Sequence, residues 1–471
     1  MEEMPRWTRY EEEILDVPFV RPAHGKWPET TFEKTAKVRF WDKNDNEIDF
    51  KKYGYVTSED VVKDMAAAKE INLSYCYVKQ LSYGEEDRGV KPIRVQKISM
   101  QYAYNTFFDN GLTLRNIQLG MVNFVGSIFA RGNVYFVGSC FELEVIFADC
   151  IFYHSDLIMT GTVFNMCLVQ FTSVSFLSDE IRLNGSQCDD NSMQFDECYF
   201  SNCSIDFTYA NIDTLVFTRI KLQNQSIKFN NACIDNICFF RCTLPNVFDI
   251  RELDSADKTA FVLYACVNSG VIFTLWRNVA IPLYLCDNFR EILNIPNIEF
   301  IKYMMASDTA LLLKENFRKM GRYDDEDSAY VVYQRHKIMA EYLEEKGKGG
   351  WISIWAEVKR WFKNEYWYKL SEFGTNPVWV MRSMLKALLG FTLAYWWCLD
   401  AGWGSFDGIS HAKLSHFAQS FYHSAVTFLT IGYGDLSPAS GLMRVLSGIE
   451  GFFGLFLMSV FTVSFMRKVL R

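Results

Sequence analysis

The sequence predicts a multidomain chain: a parallel β-solenoid, a helical connector, and an all-α segment that crosses a membrane twice. Three observations carry this. A repeat of ten to twelve residues runs from Asn110 to Leu244, the last hundred residues are mostly apolar, and two runs of span length lie among them. At 471 residues the chain exceeds one compact core, so several domains are expected. The boundaries are an N-terminal cap region (1–105), the solenoid (106–285), a helical connector (286–350), an amphipathic interfacial helix (351–375) and a membrane-spanning domain (376–471).

The repeat comes first because it decides the largest domain. Blocks such as QNQSIKFNNACI (223–234), SNCSIDFTYANI and NMCLVQFTSVSF share a frame, with apolar residues at the fifth, seventh and twelfth positions. Counting the ten-residue versions and one of eleven, twelve blocks lie between Asn110 and Leu244. The seventh-position equivalents read Leu114, Phe124, Phe136, Phe147, Met159, Phe171, Leu183, Phe195, Phe207, Phe217, Phe229 and Phe239. Apolar pairs at i and i+2 are strand-like, so each block fits two short strands and a bend. One such strand cannot bury its apolar face alone; coils stacked ~4.8 Å apart can. Two blocks per coil give about six coils, a rod of roughly 29 Å.

The block ACIDNICFFRCTL and its neighbours resemble pentapeptide-repeat proteins. The resemblance implies a right-handed, four-sided parallel β-helix, with corners widened where a block carries two extra residues. The chain has 13 cysteines. Cys140, Cys150, Cys198, Cys233 and Cys242 sit near strand-ending apolar positions, where a zinc site is one reading and small buried hydrophobes the favoured one. In a cytosolic solenoid they are reduced thiols.

The flanks read as caps and connectors. Thr57-Ser58-Glu59-Asp60 opens a helix to about Lys69, and 71–78 is strand-like. Segments 260–267 and 271–276 close the solenoid, and 286–345 is helical. Asp324-Asp325-Glu326-Asp327 lacks the ligand spacing and glycine of a calcium loop, so it reads as an acidic helix start. After a Lys/Gly linker (346–350), Trp351, Ile354, Trp355, Val358 and Phe362 share one helical face, flanked by Lys359, Arg360 and Lys363. That pattern suits a helix lying on a membrane surface, with a helix buried in the soluble part as the alternative.

Trp379–Leu399 and Leu442–Met466 are long enough to cross a ~30 Å hydrocarbon core. Arg382 and Lys386 lie near the start of the first, where long stems reach headgroups. Basic residues before the first span and after the second, with few between, place both termini inside. The opening Met1-Glu2-Glu3-Met4-Pro5 is not a secretory signal, so the location is a cell membrane crossed twice, with cytoplasmic termini.

Between the spans stands SFYHSAVTFLTIGYGDLSP (420–438). A potassium ion sheds water only where a stack of carbonyl oxygens replaces it. Gly432 and Gly434 permit the positive-φ backbone such a stack needs. Thr430-Ile431-Gly432-Tyr433-Gly434-Asp435 resembles the selectivity filter of two-transmembrane potassium channels. The resemblance covers about 378–471 and implies K⁺ at the carbonyls of Thr430, Ile431, Gly432 and Tyr433, a pore helix before them, and a homotetramer in the lipid bilayer. It implies a hinge at Gly454, a cavity lined by Leu455, Met458 and Thr462, and a basic residue, Arg444, opening the inner helix. Tyr422 and His423 stand where members often carry two tryptophans, Val426 replaces a pore-helix glutamate, and Leu429 replaces a threonine. Tyr422, His423, Thr427 and Glu450 are the expected filter supports. Glu450 interrupts an apolar helix, where an exposed acid costs ~2.5–3.5 kcal/mol on insertion scales. It is expected to accept hydrogen bonds from Thr427, Thr430 or His423, as a bracing carboxylate or in protonated form.

The reading is therefore a tetrameric potassium channel of prokaryotic style with a cytosolic β-helix for regulation or docking. Its alternatives are a poorly selective cation channel and a membrane-tethered solenoid that binds a partner. A net charge of −8 gives no reason to expect nucleic acid. Residues 106–244 hold 14 acids and 7 bases, so an acidic body near the pore entrance is expected, whether for solubility or to concentrate K⁺ locally. No nucleophile motif, phosphate loop or metal-ligand spacing suggests an enzyme or a cofactor. No arginine ladder suggests a voltage sensor. The gating ligand or cytosolic partner is left open.

Overall fold

In the computed structural model, the described residues are 6–23, 27–84, 96–98, 100–254, 259–281, 283, 298–408 and 414–470. The chain divides into two compact units, one of Met1–Asn288 with Asp308–Gly321, the other of Phe289–Ser307 with Arg322–Arg471.

In the first unit a β-solenoid of about eight turns occupies residues 54–280. Its coils are in parallel register: Phe107 faces Ile128, Ile128 faces Ile151, Ile151 faces Ser175, and Ser175 faces Tyr199. These steps of 21 to 24 residues are two blocks each, as the repeat requires. A coil such as 128–148 holds four strands, Ile128–Ala130, Val134–Tyr135, Cys140–Phe141 and Glu144–Ala148, which join two long sheets. The bends use left-handed backbone, often at asparagine: Asn105, Asn116, Asn202 and Asn231 all have φ near 50°.

All twelve seventh-position residues are buried. Phe124, Phe147, Phe171, Phe195, Phe217 and Phe239 stack along one wall with successive ring centroids 4.6–5.1 Å apart. The strand spacing thus sets the ring spacing. The ladders run past both ends of the legible repeat, since Gly54 pairs in parallel with Cys76 and Thr259 with Val279. The flanking coils lack the phenylalanine spacing, which is why the repeat alone gives about six coils.

Each open end of the ladder is closed. Strands Arg9–Leu15, Thr35–Trp41 and Glu47–Val56 form an antiparallel flap that continues one sheet. Tyr10 and Tyr77 donate to the buried Asp109 carboxylate at 2.5 and 2.6 Å, and Arg131 bridges Asp109 (3.0 Å) and Glu12 (2.7 Å). Burial raises the Asp109 pKa, but Arg131 and the two hydroxyls outweigh it and hold the carboxyl below its ordinary value. Helix α1 (Ser58–Ala66) starts at Thr57, whose side chain accepts from Asp60 N, as its sequence predicts. At the far end α2 (Ile298–Lys319) enters this unit from Asp308 onward. Thr309 Oγ1 accepts from Leu263 N, and Asn316 pairs with both backbone groups of Ile272, all at 2.8 Å. Those side chains satisfy strand-edge groups that the next coil would otherwise pair. The reading of 286–345 as helical falls outside the described residues until Ile298.

The second unit is helical. After Gly321 come α3 (Tyr323–Lys346), with its acidic first turn, and α4 (Gly350–Trp361). A π-helical turn (Phe362–Trp367) leads to α5 (Tyr368–Ser371), then α6 (Pro377–Asp400), capped by Asn376 with Pro377 at its first position. Next come α7 (His416–Phe428) and α8 (Gly441–Val469). Among the described residues α8 is the helix long and apolar enough to cross a membrane. Of the two expected spans, α6 has 24 residues but carries Arg382 and Lys386 in its first turns.

Candidate functional site

The segment between α7 and α8 is built around a turn. Helix α7 starts at Ser415, whose hydroxyl accepts from Ala418 N, and ends on Leu429. The chain then adopts left-handed backbone at alternate residues: Thr430 (φ 55°), Gly432 (φ 63°) and Gly434 (φ 75°). It is tied back to the helix by Ile431 N donating to Val426 O at 2.9 Å and Thr430 N to Thr427 O at 3.1 Å. A β-strand alternates its carbonyls between two sides, whereas alternating left-handed residues gather like backbone groups on one side. At the end of the turn Tyr422 donates to Asp435 at 2.7 Å. Leu436–Pro438 then pairs antiparallel with Phe406–Gly408. Ile431 is 47% and Tyr433 70% exposed on the single chain.

Behind the turn lies a buried polar chain that joins all three helices. Glu450 on α8, fully buried, accepts from Tyr395 of α6 at 2.9 Å and from Ser424 of α7. Ser424 Oγ also lies 3.1 Å from Leu388 O. Ser424 has one proton for those two acceptors. Ser447 approaches Tyr395 (3.2 Å) and His423 Nε2 (2.7 Å), and Thr427 Oγ1 sits 3.4 Å from the same ring nitrogen. Tyr395 and His423 stack edge to face at 5.1 Å.

Glu450 therefore packs against α7, with partners other than those expected. Thr427, Thr430 and His423 do not bond it. Ser424 is one turn earlier on α7 and faces α8 directly, His423 turns to Ser447, and Thr430 Oγ1 bonds Leu429 O at 2.7 Å. Sequence reasoning missed Tyr395, Ser424 and Ser447. The available signal was that each, like Glu450, is polar inside an apolar run.

Gly454, the expected hinge, lies at a close helix contact. Helix α8 is continuous through it, and a Cβ there would lie 2.2 Å from Phe428 O. Gly454 is needed for close approach of α8 to the end of α7. Leu455, Met458 and Thr462 are exposed on the single chain. Arg444 Nε donates to Pro438 O at 3.1 Å.

Among the described residues no group of three His, Cys, Asp or Glu could hold an ion. Cys150, Cys198, Cys242 and Cys266 instead lie 2.9–3.3 Å from the carbonyls of Phe124, Phe171, Phe217 and Phe239. Burial pushes Cys198 and Cys266 up to about 12 and Cys242 to about 11, so they remain thiols. Of the five cysteines singled out in the sequence, Cys150, Cys198 and Cys242 are buried and Cys140 and Cys233 half-buried.

No curated protein and no solved structure matches the chain. Residues 383–471, which hold the turn, α7, α8 and most of α6, match the model of a family described as ion channel, and this indicates an ion channel.

Proposed function

We propose that the protein is a tetrameric, potassium-selective channel. K⁺ would be held by the backbone carbonyls of Thr430, Ile431, Gly432 and Tyr433, with Asp435 at the outer mouth. The observation that carries this reading is the alternation of left-handed residues at Thr430, Gly432 and Gly434 in the turn after α7. One chain supplies one wall of an ion site, and four walls surround an ion. The exposure of Ile431, Tyr433, Leu455 and Met458 on a single chain agrees with surfaces that other copies and a water-filled cavity cover. Tyr422, His423, Thr427 and Glu450 support the turn from behind, and α6 is the second span.

Orientation follows from the basic ends. Arg382 and Lys386 precede the body of α6, and Arg467 and Lys468 end α8, so both termini and the solenoid lie in the cytoplasm. The α4 face agrees, since Trp351 is 79% exposed and Ile354, Trp355, Val358 and Phe362 are exposed with it. That face rests on the lipid surface. The solenoid is the regulatory or docking part.

Reconstitution in liposomes tests the proposal. K⁺ and Rb⁺ should pass and Na⁺ should be largely excluded. Gly434→Ala, which forces a side chain onto left-handed backbone, should degrade selectivity or conduction. Equal K⁺ and Na⁺ flux in the wild type would establish a poorly selective pore instead. No ion flux at all would favour a membrane-tethered binding protein.

A further inference from the structure

The last turn of α8 and the first turn of α3 are joined by ion pairs. Arg467 lies 2.6 Å from Asp327, and Lys468 lies 2.7 Å from Asp324 and 3.6 Å from Asp327. The Arg467 guanidinium also sits over the Tyr330 ring, 5.0 Å from its centroid. The Asp327 side chain is 8% exposed, so its charge is stabilised only with a partner in place. Each helix also favours its own half of the pairing. Acids suit the N-terminus of α3 and bases suit the C-terminus of α8.

The other side of this contact leads to the solenoid. Asp324 follows the left-handed turn at Gly321 (φ 69°), where α2 has just ended. The second half of α2 is fastened to the last coils through Thr309 and Asn316. Only Met320–Arg322 separates the helix that closes the solenoid from the helix whose first turn holds α8.

We propose that Asp324 and Asp327 are gate-positioning residues that fix the inner end of α8 and pass movement of the solenoid to it through α2. This rests on the channel reading above. The residues touch no permeant ion; they set where α8 ends, and hence whether the inner mouth is open. The route needs no flexing at Gly454, because α8 moves as one rod held at its base.

The test uses full-length protein in planar bilayers, with open probability read separately from unitary current and K⁺/Na⁺ selectivity. Asp327→Asn and Arg467→Gln should shift open probability in the same direction by about fivefold or more, the usual scale of such coupling, with unitary current and selectivity unchanged. Combining Asp327→Lys with Arg467→Glu should return it part of the way. Asn316→Ala should shift open probability in the wild type but add nothing in the Asp327→Asn background. Single substitutions that shift it in opposite directions overturn the proposal. Asp324→Asn decides even where Asp327 variants fail to assemble, because the Asp324 side chain is 92% exposed. An unchanged open probability in that variant also overturns it. A wild type that carries no K⁺ current refutes the channel reading itself, whereas normal K⁺ current with unaltered gating in the variants refutes only the coupling.

Discussion

Phe171 is fully buried between Phe147 and Phe195 of its own chain, at 5.0 and 4.6 Å, whereas Tyr433 at the centre of the turn is 70% exposed. The solenoid fills its interior from within, because each coil is the neighbour that the last one lacks. The membrane segment does the reverse. Its fully buried groups include the polar Glu450, Ser424 and Tyr395, while the apolar Leu442, Val445, Phe452 and Leu455 face outward. Lipid and other copies of the chain complete it, since apolar side chains gain nothing by hiding from hydrocarbon.

The most severe test of this contrast is at Gly454. Gly454→Val places a side chain where a Cβ already overlaps Phe428 O, so K⁺ flux should be abolished while the solenoid's thermal transition stays put. A coupled drop in that transition would show that the two units do not fold independently. Phe171→Ala is the converse. It should destabilise the solenoid by ~3–5 kcal/mol in denaturant unfolding, with a cavity in the middle of the stack. A loss under 1 kcal/mol would mean that neighbouring coils collapse into the gap.

Glu450 sharpens the membrane side. Glu450→Val removes the shared carboxylate acceptor, so Ser424 falls back on Leu388 O and Tyr395 on the 3.2 Å contact with Ser447, at a cost of ~1–3 kcal/mol where a buried hydroxyl is left poorly paired. Single-channel lifetimes should shorten. Glu450→Gln should assemble normally, because its carbonyl accepts from Tyr395 and its amide donates to Ser424, which frees that hydroxyl for Leu388 O. Single-channel records of the valine variant indistinguishable from wild type would falsify a role in holding the turn.

The smallest effect concerns pH. Burial, with Arg335 adding to it, lowers the His336 pKa from 6.5 to about 4 in the folded chain, where the ring packs beside Tyr303. The unfolded chain takes up a proton near pH 6.5 that the folded one refuses until about 4. Stability is thus fully present above pH 6.5 and falls as pH drops through that window. His336→Gln should flatten the fall, measured by unfolding at pH 7 and pH 5.

The two regions also differed in how much their sequences disclosed. Phe124 to Phe239 announced a ladder because a short translation repeats the same environment, so spacing is enough. The flanking coils at 54–84 and 259–280 lie in the same ladders without the spacing, and only backbone pairing places them there. In the membrane segment the turn was legible from Gly432 and Gly434, residues chosen for backbone conformation. Glu450 was legible as a polar residue in an apolar helix, but its partners were not. Which of Ser424, Thr427 and His423 faces α8 depends on the rotation of α7, which tertiary packing sets. Gly454 shows the same limit: a glycine in a helix reads equally as a hinge or as a close approach until its neighbour is seen.

The coil period has a consequence for descent. Ile151 and Ser175 occupy equivalent places one coil apart, and Phe152 stacks on Phe176 just as Phe176 stacks on Phe200. Duplicating 151–174 in the gene would therefore splice a ready-made floor into the rod and lengthen it by ~4.8 Å. The seals at Asp109 and Asn316 would be left untouched. Length is then a quantised, nearly neutral variable, and a lineage can tune how far this body reaches by counting floors.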